Sequence, residues 1–211
     1  STFMGASSAI TLGGATTFSN TGVLNLAGSP FFVTSAANML TVNNTVAGAI
    51  TRTGSGYIDG PLRRALPNGG GVGTWLSPVG KGGMYLPFAV VNPSAGSVGA
   101  VVEAEVFNTT SGGTTDGTTI IGGSLSTTEY WQASIASGTF AGGLVYVGKT
   151  GLAATNIIGS SSVLAGTYSS NGLNTFSAAT PPTLTRTVSE NLTVPTYYVL
   201  GTAVPTFYFQ S

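Results

Sequence analysis

Residues 56–88 read GYIDGPLRRALPNGGGVGTWLSPVGKGGMYLPF. The stretch carries Arg63, Arg64 and Lys81, half of the six basic residues in a chain of 211. It also carries Asp59, Trp75 and four prolines, Pro61, Pro67, Pro78 and Pro87. Around it the sequence is Gly, Ser, Thr, Ala and Val with scarcely a charge, so a specific internal architecture is written here if anywhere. Its centre, NGGGVG at residues 68–73, must be a loop, because that many glycines lose too much backbone entropy in a strand or helix. Pro61, Pro67 and Pro78 punctuate the remainder. Residues 62–66 have room for one helical turn and nothing longer.

Working outward, charged residues make up 6% of the chain, against about a quarter in ordinary globular proteins. Ten Phe, eight Tyr and a mean hydropathy of +0.34 belong to a folded chain. They exclude disorder of the kind that low hydrophobicity and high charge produce. Gly, Thr, Ser, Val and Tyr favour strands and tight turns, and the strong helix formers Lys, Glu, Gln and Arg are scarce. The composition predicts an all-β protein.

The formal net charge is zero. A surface of Ser, Thr, Asn and Gly without net charge suits a protein outside the cell or packed against copies of itself. Such a chain has no basic footprint for nucleic acid and no polybasic patch for a membrane. No apolar run reaches the about 18 residues that suggest a membrane-spanning helix. There is no Cys and no His, which removes the commonest general base and the commonest metal ligand together. The chain starts at Ser1, for which a removed signal peptide is the simplest account.

Three segments are expected. Residues 1–56 are short apolar patches (AITLGG, TTFSNTG, VLNLAG, PFFVTSAAN, MLTVNN, AITRTG) recurring at roughly eight to ten residues, the spacing of short strands and turns. They suit the rungs of a small β-helix or one edge of a sandwich, and Thr and Ala blur the alternation that would separate the two. Residues 57–201 read as an antiparallel β-sandwich. Strands are expected over residues 84–91 and 100–107, then 118–121, 129–134 and 143–147, then in NIIGSSSVLAGTYSS, LTRTVS and TYYVLG. Residues 202–211 form a last strand, broken at Val204-Pro205. There Phe207 and Phe209 alternate with Tyr208 and Gln210, which gives the strand an apolar face.

Residues 143–150, GLVYVGKT, fit the phosphate-loop expression letter for letter. The expression requires a loop that opens a helix, and Leu-Val-Tyr-Val reads as a strand. Glu103 and Glu105 lie two apart on one predicted strand and share a face at roughly 6–7 Å, a separation used in glycoside hydrolysis. Their more natural role is a structural charge cluster with Asp59, Arg63, Arg64 and Lys81. Without His, and without a G-x-S-x-G elbow, nucleophilic catalysis lacks its parts. No D-x-D-x-D-G array provides a calcium loop, and no cofactor is expected. Trp75, Tyr85, Tyr130 and Trp131 are the candidates for stacking on sugar rings, against a competing role as sandwich core. Thr183, Thr185 and Thr187 share a strand face of the kind that binds ice or polysaccharide, or is merely solvated.

The opening stretch also resembles a pattern in secreted surface proteins of Bacteroidetes-type bacteria. The likeness rests on Tyr57, Gly60, Leu62, Arg63 or Arg64, Pro78-Val79-Gly80-Lys81, Tyr85, Pro87 and Tyr130-Trp131. FSNTGVLNLAG and MLTVNNT upstream and GTYSS and YYVLG downstream extend it. It departs at Ser77, where the family usually has Phe. The resemblance implies export by the type IX route and a role in adhesion or surface structure, and it supplies no catalytic residue. Taken with the composition, it predicts a non-enzymatic extracellular structural subunit that assembles with copies of itself. Thr206, Phe207, Tyr208 and Phe209 would be the strand donated to a neighbour. The alternative is an adhesin that binds surface glycans.

Overall fold

The computed structural model describes residues 9–27, 32–172 and 174–202. The expected strand at Thr206–Phe209 lies outside them. The protein is all-β, and two kinds of sheet meet within it.

The N-terminal part is a short three-sided solenoid of parallel strands. On the first side β1 (Ile10–Thr11), β4 (Phe32–Val33), β7 (Ile58–Asp59) and β10 (Val79–Lys81) stack in parallel. On the second, β2 (Thr16–Phe18), β5 (Leu40–Val42) and β8 (Leu62–Ala65) do the same. On the third, β3 (Leu24–Leu26) lies along β6 (Ile50–Arg52). Ile10, Phe32, Ile58 and Val79 stand in one column, in steps of roughly 20–26 residues, a solenoid period. Of the two readings left open for residues 1–56, the parallel pairing selects the β-helix. The boundary expected at residue 56 is corrected, because the third rung begins at Ile58 and uses the opening stretch itself. Residues 62–66 contain strand β8 and no helical turn.

Corners are tight. Gly60 follows β7 at φ 123°, and a Cβ there would collide with the Thr34 carbonyl of the rung below. Thr34 closes the same corner, accepting nothing from Pro61 but donating its hydroxyl to the Pro61 carbonyl at 2.7 Å.

Beyond the solenoid strands the pairing is antiparallel, apart from one short parallel pair. The antiparallel part has two sheets. One continues the solenoid's second side: β8 pairs with β13 (Val98–Phe107), which pairs with β16 (Tyr130–Thr139), which pairs with β22 (Thr196–Thr202). β15 (Ser124–Leu125) and β18 (Asn156–Ser161) also pair with β22. The other sheet runs β9 (Thr74–Ser77), β12 (Phe88–Val91), β17 (Leu144–Gly148), β21 (Thr183–Arg186), β20 (Asn174–Ser177). β11 (Met84–Tyr85) hairpins onto β10, and β14 (Thr114–Thr115) pairs in parallel with β19 (Thr167–Tyr168).

One apolar core runs through both parts. It includes Leu24, Leu26, Leu40 and Val42 from the rungs and Val102, Val106, Trp131, Val145, Val147 and Leu200 from the sheets. Alternation supplies it: along β13 Ala100, Val102, Ala104 and Val106 point inward, and Val101, Glu103, Glu105 and Phe107 point outward. A second, smaller cluster of Ile120, Tyr130, Tyr168 and Val199 lies on the outer face of that sheet.

Residues 118–121, expected as a strand, form bends. The cause is Asp116. Its Oδ1 accepts the backbone N–H groups of Thr118, Thr119 and Ile120, at 3.2, 3.0 and 3.0 Å. Its Oδ2 takes the hydroxyls of Thr118 and Thr119. A short polar side chain that captures successive N–H groups competes directly with a ladder.

Candidate functional site

Residues 56–88 are the junction between the two kinds of sheet. β8 takes a parallel neighbour on one side and an antiparallel one on the other. The third side has a discontinuity there. β6 and β9 are not paired, and a single 3₁₀ turn, Ala47–Ala49, precedes β6. Backbone carbonyls at that break have no ladder to enter.

Arg64 closes the break. In the second-side register it follows Phe18 and Val42, so it occupies an inward, apolar column and is 1% exposed. Its Nη1 donates to the Leu76 carbonyl of β9, and its Nη2 donates to the carbonyls of Val46 and Ala47 at 3.0 and 2.6 Å. Trp75 adds a parallel link, its Nε1 donating to the Thr45 carbonyl at 2.8 Å. Two side chains thus replace the missing β6–β9 ladder. Burial lowers the Arg64 guanidinium to about 10, which leaves it charged at neutral pH. The expectation that Arg64 belongs to the carboxylate cluster is corrected: its partners are carbonyls.

The other predicted charges lie outside the core. Arg63 sits directly opposite Glu103 across the β8–β13 ladder, Nε to Oε2 at 2.9 Å. Lys81 reaches Asp59 of the neighbouring first-side strand at 2.7 Å. Glu105 is half-buried, and desolvation pushes its carboxyl up. Lys81 opposes that shift, while Glu103 and Asp59 add to it.

Of the four aromatic candidates for sugar stacking, Trp75, Tyr130 and Trp131 are buried, in keeping with the competing role as core, and Tyr85 is partly exposed. Trp75 and Trp131 are core residues, and Trp131 Nε1 donates to the Leu86 carbonyl at 2.9 Å. Tyr130 is buried and stacked on Phe107 at 4.7 Å between ring centres. Tyr85 has the Arg52 guanidinium over its ring at 3.8 Å. Its hydroxyl is pushed up to about 12 by desolvation, with Arg52 opposing. The reason is the sandwich geometry, in which large aromatics supply the interior area that Ala and Gly cannot.

Residues 143–150 contain strand β17, paired on both sides, which leaves no phosphate cradle. Lys149 instead pairs with Glu129 at 2.6 Å. Glu129 is fully buried and also accepts from Ser126, at 2.7 Å, and from Thr128. Desolvation alone would raise this carboxyl. The hydrogen bonds from Lys149, Thr128 and Ser126 more than offset it, and the net shift is downward. Sequence reasoning missed this pair. The available signal was a lone Lys directly after a buried strand. A second buried pair, Arg186 with Glu190 at 2.9 Å, was missed in the same way. The threonine row lies on β21 as Thr183 and Thr185, with Thr175 of β20 opposite Thr185.

Five of the six acids therefore have a structural partner: Asp59, Glu103, Glu129 and Glu190 a cation, Asp116 its own turn. Among the described residues no group of three or more acidic, His or Cys side chains converges on a point where a metal would sit, and no helix is long and apolar enough to cross a membrane. No protein-family model, no curated protein and no solved structure matches the chain.

Proposed function

We propose that this chain is a non-enzymatic structural subunit of the extracellular surface that assembles with copies of itself by strand pairing. The observation that carries the reading is the first rung. Among the described residues β1, β2 and β3 each pair on one side only, with β4, β5 and β6. Three parallel strand edges therefore lie together at one end of the solenoid. Unpaired edges are templates for another strand, and the surface around these carries Ser, Thr and Asn rather than the charged side chains that usually block such pairing. The engagement of five acids in structural bonds supports a role without acid–base chemistry. The resemblance of residues 56–88 to secreted surface proteins supports the location.

The strand donated by a neighbour is residues 206–209, with residues 1–10 as the other candidate donor. Thr17 offers a selective test. Thr16 N and the Phe18 carbonyl both bond toward β5, so the Thr17 N–H points away from the solenoid. Thr17→Pro therefore removes an outward donor while keeping the ladder to β5. Sedimentation velocity and electron microscopy of the purified chain should show polymers. Thr17→Pro and deletion of residues 203–211 should each reduce them to monomers of unchanged circular dichroism. A wild-type chain that stays monomeric at high concentration would end the proposal. Polymers that survive the deletion but not Thr17→Pro would move the donor strand to the N-terminus.

A further inference from the structure

Arg186 is the last residue of β21 and points between the two sheets, where it is 1% exposed. Its Nε donates to Glu190 Oε1 at 2.9 Å. Its Nη1 and Nη2 are both fully buried and neither has a protein acceptor. Tyr198 comes from the facing sheet, on β22, is fully buried, and its hydroxyl has no partner that meets hydrogen-bond geometry. The nearby Thr196 hydroxyl donates to the Val194 carbonyl at 3.2 Å. Arg186 and Tyr198 are both buried, and the Arg186 and Glu190 charges both act on the Tyr198 phenol. Desolvation pushes the Tyr198 phenol well above its usual value, the Glu190 charge adds to that, and Arg186 and the neighbouring Thr196 hydroxyl oppose it. The Phe88 ring, 5.8 Å from the Tyr198 ring, belongs to the apolar core beside it.

The chemistry of the space selects its occupant. A buried donor left unsatisfied costs stability, and more when charged. The two Nη atoms present four N–H groups between them. A folded domain, marginally stable overall, does not absorb several such losses. The occupant must accept from the guanidinium and also exchange a hydrogen bond with a phenol. An anion would satisfy the guanidinium, but Glu190 already neutralises it and would repel a second negative charge. A neutral acceptor that also donates is water. Buried waters occur about once per 27 residues and typically make about three hydrogen bonds.

We propose that the sandwich interior contains a built hydration site, in which ordered water accepts from Arg186 Nη1 and Nη2 and bonds the Tyr198 hydroxyl. The water joins β21 to β22 across the core, at the level where the 190–192 segment passes from one sheet to the other. That segment exchanges backbone bonds with Gly143 on one side and gives the Leu192 carbonyl to Ile135 on the other.

The test is a crystal structure of the full chain grown without halide, with a second crystal soaked in bromide. The expected result is a density peak at about 2.7–3.2 Å from Arg186 Nη1 or Nη2, with no bromide anomalous signal there. An Arg186 whose Nη groups bond protein carbonyls, or that has no density beside it, overturns the proposal. A bromide peak at the position replaces water by an anion and overturns it equally. In solution, a water cross-peak to the Arg186 guanidinium protons should be present in the wild type. It should vanish in Tyr198→Phe or in Arg186→Met, whichever retains the wild-type circular dichroism. A cross-peak that is absent from the wild type counts against the site.

Discussion

The solenoid and the sandwich each bury a guanidinium, and they partner it in opposite ways, Arg64 through Nη1 and Nη2 and Arg186 through Nε. Arg64 has three backbone carbonyls and no acid in contact. Arg186 has an acid, Glu190, and no carbonyl on its Nη groups. The difference follows from where ladders end. At the β6–β9 break the carbonyls of Val46, Ala47 and Leu76 face no strand across the gap, and that of Val46 also takes the Ala49 N–H of its 3₁₀ turn. Within the antiparallel sheets β17 and β21 are paired with each other, and their carbonyls are committed. A buried cation there needs a carboxylate. The comparison teaches that a lone basic residue in a strand can be a ladder substitute, and that its partner depends on the sheet type around it.

The strongest way to break the comparison is Arg64→Met. Hydrogen bonds to a charged donor are worth about 1.5–3 kcal/mol each, and loss of a buried charged partner typically costs about 3–5 kcal/mol. We expect a loss of about 3–4 kcal/mol in urea unfolding, by comparison with single buried-charge deletions. A loss below about 1 kcal/mol, the range of ordinary surface changes, would show that the junction does not depend on this side chain.

Glu129→Gln should cost about 2 kcal/mol, less than a fully buried pair because Lys149 is partly exposed. The cost should depend on pH. The folded carboxyl titrates below its ordinary 4.5, so its contribution is present above that pH and is lost as pH falls through the lower folded value. Wild type and variant should therefore converge in acid, which a series of unfolding curves between pH 7 and pH 2 would record.

Trp75→Phe should cost about 1–2 kcal/mol, one hydrogen bond plus lost ring contact. A sharper comparison comes from adding Arg64→Met. Both residues bridge the same break, so their effects should not add.

Glu105→Gln should act with the opposite sign. The folded carboxyl is held above 4.5, so native protein binds the proton more readily and stability falls as pH rises through that window. The variant should be more stable than wild type at pH 7 and equal to it in acid. The smallest effect belongs to the exposed pairs. Arg63→Met and Lys81→Met should each stay within about 0.5 kcal/mol, as partly solvated ion pairs usually do. A larger loss from either would mean that the outer face holds the junction as firmly as Arg64 does.

Much of the fold was legible because it depends on local chemistry. Gly, Thr and Val content gave the β class, alternation in AVVEAEVF gave β13 and its inward face, and NGGGVG gave its loop. The Glu103–Arg63 and Asp59–Lys81 contacts were legible because the chain has so few charges to pair. The rest depended on register. Whether residues 1–56 stack in parallel or pair as a sandwich edge is decided between segments some twenty residues apart, and Thr and Ala fit both. Residues 118–121 looked like a strand because nothing in Thr-Thr-Ile-Ile reveals that Asp116 will capture their N–H groups.

The opening stretch marks the same division. Composition places charge and turn residues at residues 56–88 and a β-structured chain around them. What each charge does depends on packing between distant segments. Arg63 and Arg64 are adjacent, and a strand turns adjacent side chains to opposite faces. Parallel stacking on β5 put Arg64 beneath Val42 in the core and Arg63 in solvent beside Glu103. The interrupted third side then supplied the carbonyls that allow a guanidinium to remain there. A one-residue change of register would exchange the two arginines, and no composition or spacing in the chain specifies that register without the rungs on either side.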